Sequence, residues 1–226
     1  MKILSVIPLK KGVLKENLTY FTGFDVSVGD VVLIPLRSKN VLGLVVDAGE
    51  LSETKGSIKG MDFSLRKVIE AKGKSVFLPE FFEAIFETVK YFAQSPSMVL
   101  DTLIPNIFIE EYDTISKVNR TAKITNNVLI RPEKLLFQVP FEERLSIYKT
   151  LIRESFARGK SVFLVLPTEL DIDLFSMNLS KGIEQFTYTL HGNKTPKKNL
   201  EAYKKLMSDG HPLLIVGTPP FLSLSL

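Results

Sequence analysis

The loop after the first predicted strand of the second half of the chain is where phosphate chemistry would be expected. In a parallel α/β sheet, ligands bind beyond the carboxyl ends of the strands, and residues 138–145 follow a strand predicted at residues 135–139. A phosphate-binding loop needs glycines whose N–H groups surround the phosphates, a Lys for the terminal phosphates and a Ser or Thr hydroxyl for Mg²⁺. This loop has none of them. The side chains at the corresponding positions are those of Gln138, Glu142, Glu143, Arg144 and Leu145.

The charges of this loop argue against a nucleotide site. Glu142 and Glu143 would repel a polyphosphate, and Leu145 has no atom that coordinates a metal ion. Arg144 keeps a positive charge, but its planar guanidinium is not equivalent to a lysine ammonium. We therefore expect that no nucleotide binds here and that the chain does not hydrolyse ATP.

Other arrangements with catalytic chemistry are also missing from the sequence. The 226 residues include no Cys and two His, which excludes a thiol nucleophile, a disulfide framework, a Cys-based zinc site and an iron–sulfur cluster. Neither a Gly-x-Ser-x-Gly elbow nor a His-Glu-x-x-His pair occurs. At His191, which follows a predicted strand, a functional role and an ordinary loop hydrogen bond are both open. We expect no cofactor and no metal.

Composition and charge describe a globular protein with little electrostatic bias. Hydrophobic residues make up 45% of the chain and charged residues 24%, which excludes a disordered tail or a fibre. The net charge of +4 is small for this length, so any binding to nucleic acid must depend on a local site. The N-terminal apolar run is too short for a signal sequence, and no later run approaches the roughly 20 residues that a bilayer needs. We expect a cytoplasmic protein without a membrane partner.

The elements predicted in the first half form a small β-barrel or curled sheet with a closing helix. Strands are predicted at residues 2–7, 18–21, 31–36, 41–47 and 65–71. The third and fourth strands flank a hairpin turn at residues 37–40, and glycines mark further turns. After Pro79, apolar residues recur at helical spacing until near Ser95. The aromatic residues of this helix are expected to pack against the sheet.

The second half is predicted to be a separate α/β domain. Residues 106–127 are polar and are predicted to be a linker, which places the two domains at residues 1–105 and 128–226. In the second domain, strands predicted at residues 135–139, 161–166, 186–190 and 212–216 alternate with helices at 142–158, 170–180 and 196–207. This alternation predicts βαβ crossovers and a parallel three-layer sheet, so the overall class is α/β.

A series of short segments, taken in order along the chain, carries a resemblance to a known family. In the first half the segments are Leu18-Thr19-Tyr20 and residues 28–36, 43–46, 65–70, 91–92, 99–100 and 103–105. In the second half they are residues 135–136, 139, 148 and 158–162, Leu166-Pro167-Thr168-Glu169, Leu190-His191-Gly192 and residues 215–218. The whole chain thereby resembles the N-terminal part of the bacterial PriA-type replication-restart helicases. The resemblance implies a β-barrel-like 3′-DNA-binding domain followed by a partial RecA-like first helicase lobe.

The chain departs from this family at the nucleotide site. The family's phosphate-binding loop falls on residues 138–145, with Gln138 and Glu143 at glycine positions, Arg144 at the lysine and Leu145 at the hydroxyl. The later helicase motifs, the second lobe and the cysteine-rich zinc region have no counterpart, and the segment 106–127 is too short for the family's winged helix. The resemblance therefore implies either a shortened relative with no ATPase or helicase activity, or the N-terminal fragment of a longer helicase.

The resemblance also implies a DNA site in the barrel, because the family holds the 3′-terminal nucleotide of a strand in a small pocket there. Tyr20 is expected to stack on a base and Arg66 to meet a phosphate. Thr19 stands where the family has an Asp that accepts hydrogen bonds from the base, and Arg37 stands where it has a glycine. The DNA-binding residues implied in this way are Leu18, Thr19, Tyr20, Arg37 and Arg66, and we expect Lys39 and Lys67 to make auxiliary phosphate contacts.

Two functions therefore stay open at the level of the sequence. The first is a DNA-binding protein of replication and repair, which recognises 3′ ends or forks at junctions of single-stranded and double-stranded DNA and has no ATP site. The second is an interaction scaffold of the replication machinery, whose partners are replication proteins and whose DNA pocket is vestigial.

Overall fold

The computed structural model describes residues 1–10, 17–50, 65–74, 77, 79–118 and 133–223. The chain is a mixed α/β protein and divides into two compact units. The first contains residues 1–117, and the second begins at Val118. The division falls inside the segment that composition predicts to be a linker.

The first unit is built on a curled sheet of six strands in the order β5-β2-β1-β4-β3-β6. All neighbouring strands are antiparallel except β2 and β5, which are parallel. The sequences of β1 to β4 are rich in the β-branched residues that suit a pleated surface. The strands are β1 (Lys2–Pro8), β2 (Leu18–Thr22), β3 (Asp30–Leu36), β4 (Lys39–Glu50), β5 (Arg66–Lys67) and β6 (Glu70–Lys74).

The two edges of this sheet meet at Val68 and Ile69, the link between β5 and β6. The Val68 N–H donates to the carbonyl oxygen of Phe21 in β2, and the Ile69 N–H donates to the carbonyl oxygen of Leu33 in β3, both at 2.9 Å. The single strand predicted at residues 65–71 is therefore two short strands, because the chain changes its partner from β2 to β3 between them. The sheet curls in this way into a half-barrel, which we call the barrel.

Inward-facing side chains fill the barrel and alternate with outward-facing ones along each strand. Gly43 of β4 lies against the side chain of Val6 in β1, since a Cβ atom added there would lie 2.4 Å from Cγ1 of Val6. That position therefore needs a residue without a side chain. The buried core residues are Leu4, Val6, Tyr20, Val26, Val32, Ile34, Val45 and Val68.

Four helices follow the barrel: α1 (Pro79–Phe92), α2 (Pro96–Leu103), α3 (Asn106–Glu110) and α4 (Tyr112–Ile115). The helix predicted after Pro79 is confirmed as α1. In contrast, residues 106–115 are helical where the polar composition predicts a linker. Ile107, Phe108, Tyr112 and Ile115 are buried between the polar residues, and the Tyr112 hydroxyl donates to the Lys74 carbonyl at 3.2 Å. The linker prediction therefore begins too early, and residues 119–127 lie outside the described residues.

The second unit contains a separate parallel sheet of three strands in the order β7-β9-β8. Strands and helices alternate as predicted. The connection from β7 leads to β8 at the far edge of the sheet, and the next connection leads back to β9, which lies between them. Because such crossovers are right-handed, this reversal places α6 and α7 on opposite faces of the sheet. The elements are α5 (Phe141–Ala157), β7 (Val162–Val165), α6 (Glu169–Leu179), β8 (Thr187–Leu190), α7 (Pro196–Ser208) and β9 (Leu214–Gly217).

The core of the second unit joins α5 and α6 to one face of this sheet. Ile152 of α5 and Ile172 and Phe175 of α6 pack with Leu214 and Val216 of β9. At the start of α6, the Thr168 hydroxyl caps the helix by accepting the Asp171 N–H at 3.2 Å. α6 is thereby fixed both by its apolar face and by its N-terminus.

The strand predicted at residues 135–139 does not form. This segment is irregular, and Leu135, Leu136 and Phe137 are exposed, Leu136 by 95%. A short apolar run is compatible with a strand, but a strand also requires a partner whose edge accepts it.

The helices of the described residues are short. The longest, α5, has 17 residues, and among the described helices none combines the length and apolar character that crossing a bilayer requires.

Candidate functional site

The end of the barrel that carries the β3–β4 hairpin presents several cations, and we call it the basic end. Leu36 and Lys39 form the last pair of the hairpin, and Arg37 and Ser38 make the turn. Arg37 has a φ of 53°, in the left-handed region that favours glycine. The tight turn thus fixes Arg37 at the tip, where its side chain is exposed.

Arg66 of β5 is anchored to this turn. Its Nη1 donates a hydrogen bond to the carbonyl oxygen of Arg37 at 3.4 Å. One strand away, Tyr20 of β2 is the register partner of Arg66. The sequence-predicted residues Tyr20, Arg37 and Arg66 are therefore brought together by the fold, although they come from three different strands and turns.

Tyr20 itself belongs to the barrel core. The residue is 4% exposed, and its hydroxyl donates to the Pro35 carbonyl oxygen at 3.0 Å. Burial raises the pKa of the Tyr20 hydroxyl, and the positive charge of Arg66 partly opposes that rise. The base stacking expected of Tyr20 requires a ring face that this position does not expose. Tyr20 instead supports the hairpin on which Arg37 is placed.

The remaining predicted residues fall on two faces of the strands. Leu18 packs against the barrel core, while Thr19, next along β2, is on the opposite face. Lys39 is exposed beside the turn. Lys67 pairs with Phe21 and lies on the face of β5 opposite to Arg66. The structure therefore groups Lys39 with Arg37 and Arg66 and separates Lys67 from them.

Lys10 is a further cation of the basic end that sequence reasoning missed. The N–H of Leu9 donates to the Leu42 carbonyl oxygen at 2.8 Å, so the chain leaving β1 runs beside the hairpin. Lys10 follows and is exposed. The pairing of β1 with β4 decides this position, and neither residue type nor spacing in the sequence signals it.

Charge is distributed unevenly along the barrel. Among the described residues, Lys10, Arg37, Lys39 and Arg66 form no ion pair. Carboxylates instead gather at the other end, where Lys2 pairs with Asp25 at 2.8 Å and the N-terminal amine lies 3.9 Å from Glu50. The basic end is thus left with uncompensated positive charge, which attracts an anion.

In the second unit, the five residues of the predicted degenerate nucleotide loop surround the start of α5. Gln138 is exposed, and Glu142 and Glu143 occupy the first turn of the helix, where carboxylates complement the helix dipole. The Arg144 guanidinium donates from Nη2 to the Val139 carbonyl oxygen at 3.4 Å. Leu145 packs against the core of the unit. Glu142, Glu143 and Arg144 thus stabilise the helix start, and none of the five side chains supplies the Lys or the hydroxyl of a phosphate-binding loop.

A polar network shapes the loop between β8 and α7, at the carboxyl edge of the sheet. Glu169 accepts the N–H of Asn193 at 3.0 Å and a second hydrogen bond from its amide Nδ2. Nδ1 of His191 lies 3.6 Å from Oε1 of Glu169, and it has no hydrogen-bond partner among the described residues. The structure therefore places the His191 ring beside a carboxylate and shows, within the described part of the chain, no ordinary loop hydrogen bond from Nδ1. A functional role of His191 stays a prediction.

Lys194 and Asn199 complete this network. The Lys194 ammonium donates to the carbonyl and hydroxyl oxygens of Thr189, and its burial lowers the pKa of the amine, an effect that Asp173 opposes. Asn199 donates from Nδ2 to the carbonyl oxygen of His191 at 3.0 Å. The predicted alternation of strands and helices places the residues that follow each strand at this edge. It does not predict which of their polar side chains contact one another.

Within the described residues, no three His, Asp or Glu side chains are placed as the ligands of a metal ion would be.

No protein-family model matches the chain, and no curated protein matches it.

Proposed function

We propose that this protein binds DNA through the basic end of its barrel and recognises 3′ ends or forked DNA in replication and repair. The observation that carries the proposal is the group of four exposed cations, Lys10, Arg37, Lys39 and Arg66, which no described carboxylate neutralises. Guanidinium and ammonium groups are the usual donors to DNA phosphates. The preference for a 3′ end draws its support from the resemblance to the PriA-type helicases.

We propose further that the second unit is a degenerate RecA-like lobe without ATPase activity. Its parallel sheet with helices on both faces supports a helicase-like architecture, while Leu145 stands in the core where a hydroxyl would have to reach Mg²⁺. ATP turnover by the purified chain that Arg144→Ala abolishes would overturn this assignment.

Fluorescence anisotropy with labelled forked DNA tests the first proposal. One fork carries a free leading-strand 3′-OH, and a second is blocked there by a 3′-phosphate. We expect tighter binding to the free end and a loss of affinity in Arg66→Ala. Lys67→Ala is the matched control, because it removes one neighbouring charge from the opposite face of the same strand. Equally weak binding to both forks, at micromolar concentrations or above, would refute recognition of the 3′ end.

A scaffold that binds other replication proteins is the second candidate function. Two exposed apolar features favour it: the run Leu135, Leu136 and Phe137, and the pair Tyr91 and Phe92 at the end of α1. Exposed apolar side chains of this kind are typical of surfaces that bind another protein. A partner retained in a pull-down after nuclease treatment, together with no DNA binding by the purified chain, would favour the scaffold.

A further inference from the structure

We infer that the basic end binds the sugar–phosphate backbone of single-stranded DNA and does not read its bases. The inference rests on the proposed function and specifies how that site works. It departs from the stacking and base-directed contacts that the sequence led us to expect.

The chemistry of the exposed groups favours phosphate. Arginine and lysine side chains have N–H donors and no acceptor, whereas most base edges combine donors with acceptors and only the N7 and O6 edge of guanine offers acceptors alone. Phosphate oxygens present acceptors alone. Lys10, Arg37, Lys39 and Arg66 therefore match a row of phosphates better than they match a base.

The ring of Tyr20, which the sequence predicts to stack on a base, is not exposed at the basic end. Both the ring and the hydroxyl of Tyr20 are engaged by the barrel, the ring in the core and the hydroxyl at Pro35. Thr19 is on the other face of β2 from Tyr20. The described part of the basic end thus holds neither the stacking platform nor the carboxylate acceptor that a base pocket requires.

One contact places a guanidinium of the basic end before a ligand arrives. Arg66 donates from Nη1 to the Arg37 carbonyl oxygen, and its guanidinium has further N–H groups that can donate to phosphate oxygens. The positive φ of Arg37 fixes its backbone at the tip of a two-residue turn. Because the Arg66 side chain and the Arg37 backbone are already placed, less entropy is lost on binding.

The opposite end of the barrel shows charges that are paired. Lys2 pairs there with Asp25 at 2.8 Å, and the N-terminal amine lies 3.9 Å from Glu50. Because the cations of the basic end have no such described carboxylate partners, a phosphate chain is attracted to the hairpin end.

The test compares two labelled 15-mers by fluorescence anisotropy with the full chain. One is oligo(dT), and in the other the five nucleotides at the 3′ end carry abasic tetrahydrofuran in place of the base. Contact with phosphates alone predicts affinities within about threefold of each other. Loss of even one stacked base would weaken binding by about fivefold to 150-fold, so a loss of about fivefold or more overturns the inference.

A salt series locates the contacts. Each phosphate contact to a single strand adds about −0.7 to the slope of log K against log salt concentration, so three or four contacts predict a slope of about −2 to −3. Arg66→Ala and Lys39→Ala should each reduce the slope by about 0.7, while Lys67→Ala should not change it. An equal effect of Lys67→Ala would refute this location. If neither oligo(dT) nor the forked DNA binds, DNA binding itself is refuted, whereas failure of oligo(dT) alone, or binding that depends on the bases, refutes only the phosphate mode on single strands.

Discussion

The guanidinium of Arg66 donates a hydrogen bond to the backbone carbonyl oxygen of Arg37 at 3.4 Å. Two residues of like charge are thereby held at one end of the barrel by a contact between a side chain and the main chain. Their mutual repulsion is modest in water, because charges about 4 Å apart in bulk water interact by only about 1 kcal/mol. An anion bound between them removes that repulsion and adds attraction to both.

A DNA ligand is therefore expected to stabilise the barrel against heat. A ligand at about 100 times its dissociation constant adds about 2.7 kcal/mol to the free energy of unfolding when it binds the folded state alone. Circular-dichroism melting with and without oligo(dT) measures the shift. Arg66→Ala should reduce the shift and Lys67→Ala should preserve it. A shift of the same size in both variants would contradict binding at the basic end.

The variant Arg37→Gly tests whether Arg37 contributes to DNA affinity independently of the stability of the fold. Glycine relieves the cost of a left-handed φ at residue 37, about 1 kcal/mol, but it adds a comparable entropy to the unfolded chain. We expect the free energy of unfolding to change by less than about 1 kcal/mol while DNA affinity falls. Urea unfolding and anisotropy on the same preparation check both results, and Ser38→Gly is the neighbouring control that keeps the charge. Unchanged affinity in Arg37→Gly would remove this residue from the site.

Tyr20→Phe should make the barrel less sensitive to alkali. Burial raises the pKa of Tyr20 above its ordinary value of 10.0, so the folded state keeps a proton that the unfolded state loses. The stability that this proton linkage contributes is complete below pH 10 and is lost as pH rises from there through the raised pKa. In Tyr20→Phe the free energy of unfolding should fall by about 1 kcal/mol near neutral pH, because the Pro35 carbonyl loses its donor.

Urea unfolding between pH 8 and pH 11 measures this effect, and the decline with pH should be shallower in Tyr20→Phe than in the parent chain. Tyr91→Phe is the control, since Tyr91 is 83% exposed. An identical decline in Tyr20→Phe and the parent would show that Tyr20 does not contribute to the alkaline transition.

Gly43→Ala should destabilise the barrel by overpacking. The added methyl group would lie 2.4 Å from Cγ1 of Val6 and 3.1 Å from Cδ1 of Ile34, and core overpacking typically costs about 1–3 kcal/mol. Gly23→Ala is the matched control, because no described atom lies within 4 Å of its added Cβ. Thermal melting measures the stability of both variants. An equal loss of stability in Gly43→Ala and Gly23→Ala would contradict overpacking at Gly43.

Strands β1 to β4 and helices α1 and α5 to α7 could be predicted from the sequence because each carries its own periodicity and its own end signals. Pro79 and Pro196 begin helices and the turn at Arg37 joins two apolar runs. The helices at residues 106–115 were not predicted, because the polar residues of this segment indicate a linker, although Phe108, Tyr112 and Ile115 follow the spacing of a helix. Their burial depends on Tyr112 reaching Lys74 and Asp113 reaching Lys72, contacts distant in sequence.

For the candidate site, too, the residue types could be predicted from the sequence, whereas burial and contacts depend on strand pairing between distant segments. Residue type alone identified Arg37, Lys39 and Arg66 as cations, and the fold brings Arg66 to Arg37. Whether Tyr20 faces solvent or the core is decided by the register of β2 against β1, which pairs it with Leu4. A slip of one residue would exchange the two faces, so the burial of Tyr20 could not be predicted from composition.

The short link at Val68 and Ile69 also constrains how the first unit folds. Until residues 66–74 are in place, β2 and β3 lack the partners that Val68 and Ile69 give them. A chain interrupted before Arg66 would present the main-chain groups of β2 and β3 as templates for strands of other molecules. The barrel is therefore at greatest risk of aggregation while it is being synthesised, and it becomes protected when a two-residue link binds both sides at once.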